Sequence, residues 1–147
     1  LNGTIKSKKI GVLGWSFKKN TNDSRESASI YVTNDLLDEG GYVNVYDPKV
    51  SSKRIINDLL DLWESIGETD KQIKLKLNNL KIVSDFNNCF NDSACIAILT
   101  EWDEFKSYDW NRLIKKMQKQ HLIIDGRNIL DPLYMNKLTD KFCSIGR

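Results

Sequence analysis

The segment Ala94–Leu99 reads Ala-Cys-Ile-Ala-Ile-Leu, an unbroken apolar run between Asp92-Ser93 and Thr100-Glu101. A strand with one wet face alternates apolar with polar residues. A run that is apolar on both faces belongs in the middle of a parallel sheet covered on both sides. Parallel neighbours need crossover connections, usually helices, so this stretch commits the chain to an α/β architecture. The flanking sequence supplies the alternation. Strands are predicted at about Lys9–Leu13, Tyr42–Tyr46, Leu80–Val83, Ala94–Leu99, His121–Ile124 and Lys141–Ile145. The expected fold is a Rossmann-like, doubly wound parallel sheet of about six strands with helices on both faces.

The helices are read from period and end signals. Asp23 and Glu26 have capping-box spacing, which predicts a first helix over Arg25–Glu39 with Ala28, Tyr31, Val32 and Leu36 as its apolar stripe and Gly40-Gly41 as its stop. Ser51–Asn79 is charged and helical in period, with Ile55, Leu59 and Leu62 on one face, and reads as one or two helices laid partly over the core. Short helices are expected near Phe86–Asn91 and Trp102–Phe105. Another follows Asp109, with Trp110, Leu113, Ile114 and Met117 on one face, and a last one is opened by Asp131-Pro132.

With 147 residues the chain accommodates one such domain. The net charge of +2 is spread among interspersed acids and bases, which argues against a dedicated nucleic-acid binder. No apolar run approaches the roughly 20 residues of a membrane span. The three cysteines fall at no metal spacing and His121 is the single histidine, so neither a metal site nor a His-based triad is expected. Cys95 and Cys143 lie in apolar, strand-like segments and read as buried, reduced thiols of a cytoplasmic protein.

Ligands of a doubly wound sheet bind beyond the strand C-termini, so the loops after strands one, four and five are the candidates. The first has Gly11 and Gly14 but no third glycine of a G-x-G-x-x-G fingerprint. Phe17 or Lys18 stands where the backbone would meet a pyrophosphate, which argues against a dinucleotide cradle. Phe17 can lie against a base or sugar ring, and Lys18 and Lys19 can approach a phosphate as point charges. Arg25, placed in the first helical turn, opposes the helix dipole. Alternatively these cations are a solvated face. Asp47 closes strand two, where an acid can bond a ribose, but Asp47-Pro48 reads better as a turn. Trp102, Phe105 and Trp110 fit helix-packing positions, Lys115-Lys116-x-x-Lys119 a solvated helix face. Glu101 either bonds a substrate or orients Arg127.

Four motifs in order resemble the C-terminal domain of the UDP-glucose/GDP-mannose dehydrogenase family. They are Phe17-Lys18-Lys19-Asn20-Thr21-Asn22-Asp23-Ser24-Arg25-Glu26-Ser27, Gly40-x-x-Val43-x-Val45-Tyr46-Asp47-Pro48-Lys49, Leu99-Thr100-Glu101-Trp102-x-x-Phe105 and Ile124-Asp125-Gly126-Arg127-Asn128. The resemblance covers about Lys8 to Ile145. It implies an enzyme that oxidises UDP-glucose twice to UDP-glucuronate with two NAD. Residues 1–7 would then end an inter-domain linker helix, and residues 8–147 would be the UDP-binding domain of a larger polypeptide whose N-terminal domain holds NAD. The resemblance places Phe17, Lys18 and Arg127 on the UDP-sugar and Arg25 on the cofactor. It also implies a homo-oligomer. The family's catalytic cysteine lies in the N-terminal half. Asn88-Cys89-Phe90 is only superficially similar to that motif, since no Gly-Gly precedes it, and Cys89 reads as structural, leaving no catalytic residue in this chain. A sibling acting on GDP-mannose or a UDP-N-acetylhexosamine, or a non-catalytic nucleotide-binding or oligomerisation module, would share these motifs.

Overall fold

The computed structural model describes residues 3–146. Its element order is β1 (Lys9–Leu13), α1 (Ala28–Asp38), β2 (Tyr42–Tyr46), α2 (Ser52–Ser65), α3 (Asp70–Asn78), β3 (Leu80–Ile82), α4 (Asn87–Phe90), β4 (Cys95–Ile98), α5 (Asp103–Lys106), α6 (Trp110–Ile114), β5 (Leu122–Asp125), α7 (Pro132–Leu138) and β6 (Phe142–Ser144). The strands form one six-stranded sheet in the order β3-β2-β1-β4-β5-β6, every pair parallel. This is the doubly wound arrangement expected. β4 is buried along its whole length, the environment its apolar run requires. Residues 3–7 form turns rather than helix, with Ser7 N–H donating to Gly40 O at 2.9 Å; residues 1 and 2 of the expected linker lie outside the described residues.

Two apolar clusters flank the sheet. One gathers Val12, Trp15, Ile30, Leu37, Val43, Val45, Ile55, Leu59 and Trp63, under α1 and α2. The other gathers Leu13, Phe90, Ile98, Phe105, Trp110, Leu113 and Met135, under α4 to α7. Trp102, Phe105 and Trp110 are buried within the second cluster, as their helical spacing predicts.

Helix α1 departs from the expected one at its start. It begins at Ala28, with Ser27 as N-cap accepting from Ser29 N–H. Asp23 accepts instead from the backbone N–H of Arg25 at 3.0 Å, and Glu26 sits at φ 56°, so no capping box forms. Arg25 therefore precedes the helix and does not oppose its dipole. The buried face is also different. Ser29, Ile30, Thr33, Asn34 and Leu37 face inward, while Ala28 and Tyr31 are exposed and Val32 and Leu36 half-buried. Small polar side chains let the helix lie close: Ser29 Oγ donates to Gly14 O at 2.8 Å, a contact that apolar periodicity does not register. The C-terminus is as expected. Gly40, at φ 82°, donates to Leu37 O and Gly41 to Leu36 O, both at 3.0 Å, the double bond pattern of a glycine-terminated helix.

Segment 51–79 forms two helices. Ile55, Leu59 and Trp63 are buried, whereas Leu62 is half-buried. A buried network docks α3. Lys76 Nζ lies 2.7 Å from both Asp38 and Glu68 and 3.0 Å from Asn34 Oδ1, and Asn34 Oδ1 also accepts from Trp63 Nε1 at 2.8 Å. Burial alone would lower the Lys76 pKa, but the two carboxylates outweigh it and raise it.

Candidate functional site

Register aligns the C-terminal ends of the strands. Leu13 pairs with Tyr46 and Ile98, Ile98 with Asp125, and Asp125 with Ser144. The loops that begin at Gly14, Asp47, Leu99 and Gly126 therefore open on one edge, and the motif residues of the sequence are the bonds that tie those loops together.

Gly14 turns the chain at φ 100°, and a Cβ there would lie 2.7 Å from Thr100 N. Only glycine allows the β1 loop to pass this close. Thr100 Oγ1 then donates to Ser16 O at 2.7 Å. Asp47 supplies a second anchor. Its Oδ2 accepts from Trp15 N–H (2.7 Å), Ser16 N–H (3.1 Å) and Trp102 Nε1 (3.1 Å), and its Oδ1 from Lys49 and Val50 N–H at 2.8 and 2.9 Å. The carboxylate is thus engaged by protein donors on both oxygens, in keeping with the turn-forming reading rather than a ribose ligand.

The Asp125-Gly126-Arg127-Asn128 loop is shaped by its own aspartate. Buried Asp125 accepts from the N–H groups of Arg127 (3.1 Å), Ile129 (2.8 Å) and Leu130 (2.8 Å). A Cβ on Gly126 would stand 2.9 Å from Ile98 O, and Asn128 takes φ 56°. The four residues divide the work: Asp folds the loop, Gly lets it pass β4, Asn reverses it, and Arg127 projects. Its guanidinium makes an ion pair with Glu101. The other Glu101 oxygen accepts Lys19 N–H at 3.0 Å. Glu101 therefore joins the Phe17–Lys19 loop to Arg127 across the sheet edge.

Phe17 and Lys18 stand exposed at this edge, with Lys18 Nζ 5.3 Å from the Phe17 ring centre, while Lys19 Nζ is drawn to Asp103 at 3.4 Å. Arg25 is not part of this cluster. It points away with Asp23, whose carboxylate it meets at 2.8 Å, and lines a separate depression of about 450 Å3 with Lys49, Ser51 and Arg54. Hydrogen bonds from Arg25 hold the Asp23 carboxyl at a pKa of about 2.

The β1 turn does not fit a dinucleotide. Phe17 occupies the loop, no third glycine follows Gly14, and Ser27 already caps α1, so the pyrophosphate cradle of a Rossmann site is missing. Among the described residues no group of His, Cys, Asp and Glu could hold a metal ion, and no helix is long and apolar enough to cross a membrane. Cys89 is enclosed beside Asn44 O at 3.6 Å, and burial, outweighing the nearby Lys9 charge, pushes its thiol up to about 12, the opposite of an activated nucleophile. His121 is spent on Gln118 O and Thr139 Oγ1 at 2.8 and 3.0 Å. Cys143 corrects the expectation of buried thiols: it is exposed, because β6 is the sheet edge.

Sequence reasoning missed two supporting acids, Asp125 and Asp58. In the sequence Asp125 stands out only as a member of the Asp-Gly-Arg-Asn motif. Asp58 lies beside Ile55, Leu59 and Leu62 on the buried stripe of α2; a charge on an apolar face was the available signal.

A sheet in this order with cations at the C-terminal edge defines a Rossmann-like α/β domain of the nucleotide-binding type. Residues 11–132 match the UDP-glucose/GDP-mannose dehydrogenase family, UDP binding domain, and the chain belongs to that family. It is 41% identical over 131 residues to UDP-glucose 6-dehydrogenase of Pongo abelii, covering 89% of this chain and 25% of that protein. The Drosophila melanogaster UDP-glucose 6-dehydrogenase is 38% identical over 144 residues, covering 98% and 29%. Among solved structures, a UDP-D-ManNAc dehydrogenase from Pyrococcus horikoshii superposes with a TM-score of 0.69 at 25% identity, over 99% of this chain and 27% of that one. The chain spans about a quarter of the length of the relatives it matches.

Proposed function

We propose that this chain is the UDP-holding part of an NAD-dependent UDP-glucose 6-dehydrogenase, which oxidises UDP-glucose to UDP-glucuronate. The observation that carries the reading is the Glu101 bridge. It ties the exposed Phe17–Lys18 pair and the Arg127 guanidinium into one edge with an aromatic face and two cations, the groups a nucleoside diphosphate needs. Phe17 stacks on the base or sugar, Lys18 and Arg127 meet the diphosphate, and Arg25 reaches a cofactor held by another domain of the same polypeptide. NAD finds no cradle at the β1 turn, so its binding falls to that domain, as does the catalytic thiol. The whole protein acts as a homo-oligomer in the cytoplasm, a reducing compartment that suits three free cysteines. Relatives at about 40% identity are named for UDP-glucose, which favours that sugar over the sibling substrates.

Steady-state kinetics on the complete polypeptide test the assignment. Lys18→Ala and Arg127→Ala should each raise KM for UDP-glucose about tenfold, about 1.4 kcal/mol of lost binding, with KM for NAD unchanged. Arg25→Ala should raise KM for NAD instead. UDP should compete with substrate where GDP does not. Unchanged KM for UDP-glucose in both Lys18 and Arg127 variants refutes the site.

A further inference from the structure

The Phe17–Lys18 loop has a neck, and one carboxylate from a distant helix closes it. Asp58, on α2, accepts at Oδ2 from Trp15 Nε1 (2.9 Å) and from Ser24 Oγ (2.5 Å). Trp15 and Ser24 are the two ends of the excursion that carries Phe17, Lys18 and Lys19 out to the edge. Both are wholly buried. Ser24 Oγ in turn accepts from Arg54 Nε at 3.1 Å, and Arg54 Nε lies 3.0 Å from Asp58 Oδ1. Within the neck Phe17 N–H donates to Asp23 O at 3.0 Å. Asp58 itself is nearly buried, its side chain 9% exposed. A carboxylate so enclosed is expensive unless the donors around it are used, and here two of its three donors, Trp15 and Ser24, belong to one loop, the third being Arg54 of α2 itself. Asp47 and Glu101 hold the loop from the turn after β2 and from the β4 loop, but among the described residues Asp58 is the side chain that binds both of its ends.

We propose that Asp58 is a positioning residue for the UDP site, and that α2 serves to bring it there. This rests on the assignment of Phe17 and Lys18 to the UDP-sugar. Segment 51–79 is then more than cover for the sheet. Ile55, Leu59 and Trp63 seat α2 on the core, and the seated helix delivers an acceptor to the loop neck. An amide cannot replace the carboxylate, because it would present a donor either to Arg54 Nε or to the Trp15 indole N–H, neither of which can accept.

The test compares Asp58→Asn, Ser24→Ala and Trp15→Phe with Lys76→Met in the complete polypeptide, by UDP titration calorimetry and by amide hydrogen exchange at Phe17 and Lys19. Lys76→Met loosens α3 and lowers Tm without touching the neck, so it reports a merely structural loss. Asp58→Asn should weaken UDP about tenfold and speed loop exchange about tenfold. Ser24→Ala and Trp15→Phe should each give about threefold, and keep the test alive if Asp58→Asn does not fold. Lys76→Met should leave UDP affinity within about twofold while lowering Tm. In the Asp58→Asn background, Phe17→Ala should cost little more, since the loop is already misplaced. UDP affinity and loop exchange at wild-type values in all three neck variants overturn the proposal, as does an equal loss of affinity in Lys76→Met. If Phe17→Ala and Lys18→Ala themselves leave UDP affinity unchanged, the UDP assignment has failed and the positioning role falls with it. If those two weaken UDP and the neck variants do not, Asp58 alone is refuted.

Discussion

At the scale of single residues, the same side-chain type serves opposite ends according to what surrounds it. Glu101 and Asp125 are both acids at the sheet edge. Asp125 spends its oxygens on three backbone N–H groups of its own loop, whereas Glu101 joins two loops through Lys19 and Arg127. The cysteines divide in the same way. Burial pushes Cys89 from 9.0 up to about 12 and Cys95 up to about 11, while Cys143 stands exposed on the edge strand. A thiol whose folded pKa lies above its unfolded value supports the fold below the unfolded value. That support is lost as pH climbs toward the folded one, here between about 9 and 12. At pH 8 both buried thiols stay protonated and unreactive. Iodoacetamide at that pH should therefore modify Cys143 in the folded chain, and Cys89 and Cys95 only in urea, as read by peptide mass mapping. Labelling of Cys89 at the rate of Cys143 would contradict its structural role.

At the scale of elements, the strands were legible because burial on both faces writes itself as an apolar run. Ala94–Leu99 and Lys9–Leu13 locate β4 and β1 within a residue or so. The stop of α1 was legible because Gly40 alone suits the left-handed turn. Its start was not, because Asp23 and Glu26 have the spacing of a capping box without its geometry. Asp23 turns on Arg25 instead, and Glu26 receives the Tyr31 hydroxyl at 3.0 Å. The inward face differs from the apolar stripe for a related reason. Ser29 and Thr33 pack where larger apolar groups would hold the helix off the sheet, and no hydrophobic period reports that. Of the site, Phe17, Lys18 and Arg127 were visible as motif residues, but their supports were not, since Asp58 and Thr100 act across long sequence separations. The N-cap is checkable. Ser27→Ala should cost about 1 kcal/mol of stability, and Glu26→Ala less than about 0.5 kcal/mol as an exposed residue. Urea denaturation measures both, and a larger loss from Glu26→Ala would restore the capping-box assignment.

At the scale of the whole molecule, the proposed function gives the sheet edge one half of a reaction. Its cations and aromatic face gather where the loops after β1, β4 and β5 meet, and the elements behind them are spent on holding those loops. Asp47, Asp58, Thr100 and Glu101 all bond to the segment between Trp15 and Ser24. A loop pinned from several elements presents side chains at low entropic cost. Cys89 is removed from the edge, enclosed against Asn44. In the proposed division of labour the edge residues hold the nucleotide diphosphate, and the oxidant and the reacting thiol come from the rest of the polypeptide. Given UDP-glucose and NAD, the chain by itself should produce no NADH above the protein-free background, followed by NADH absorbance over hours and at several protein concentrations. Supplying the remainder of the polypeptide should start the reaction, and Arg127→Ala should then slow it at low UDP-glucose more than at saturation. Sustained NADH formation by the chain alone, suppressed by added UDP, would show that the oxidant and the reacting groups lie within these residues and would overturn the division of labour.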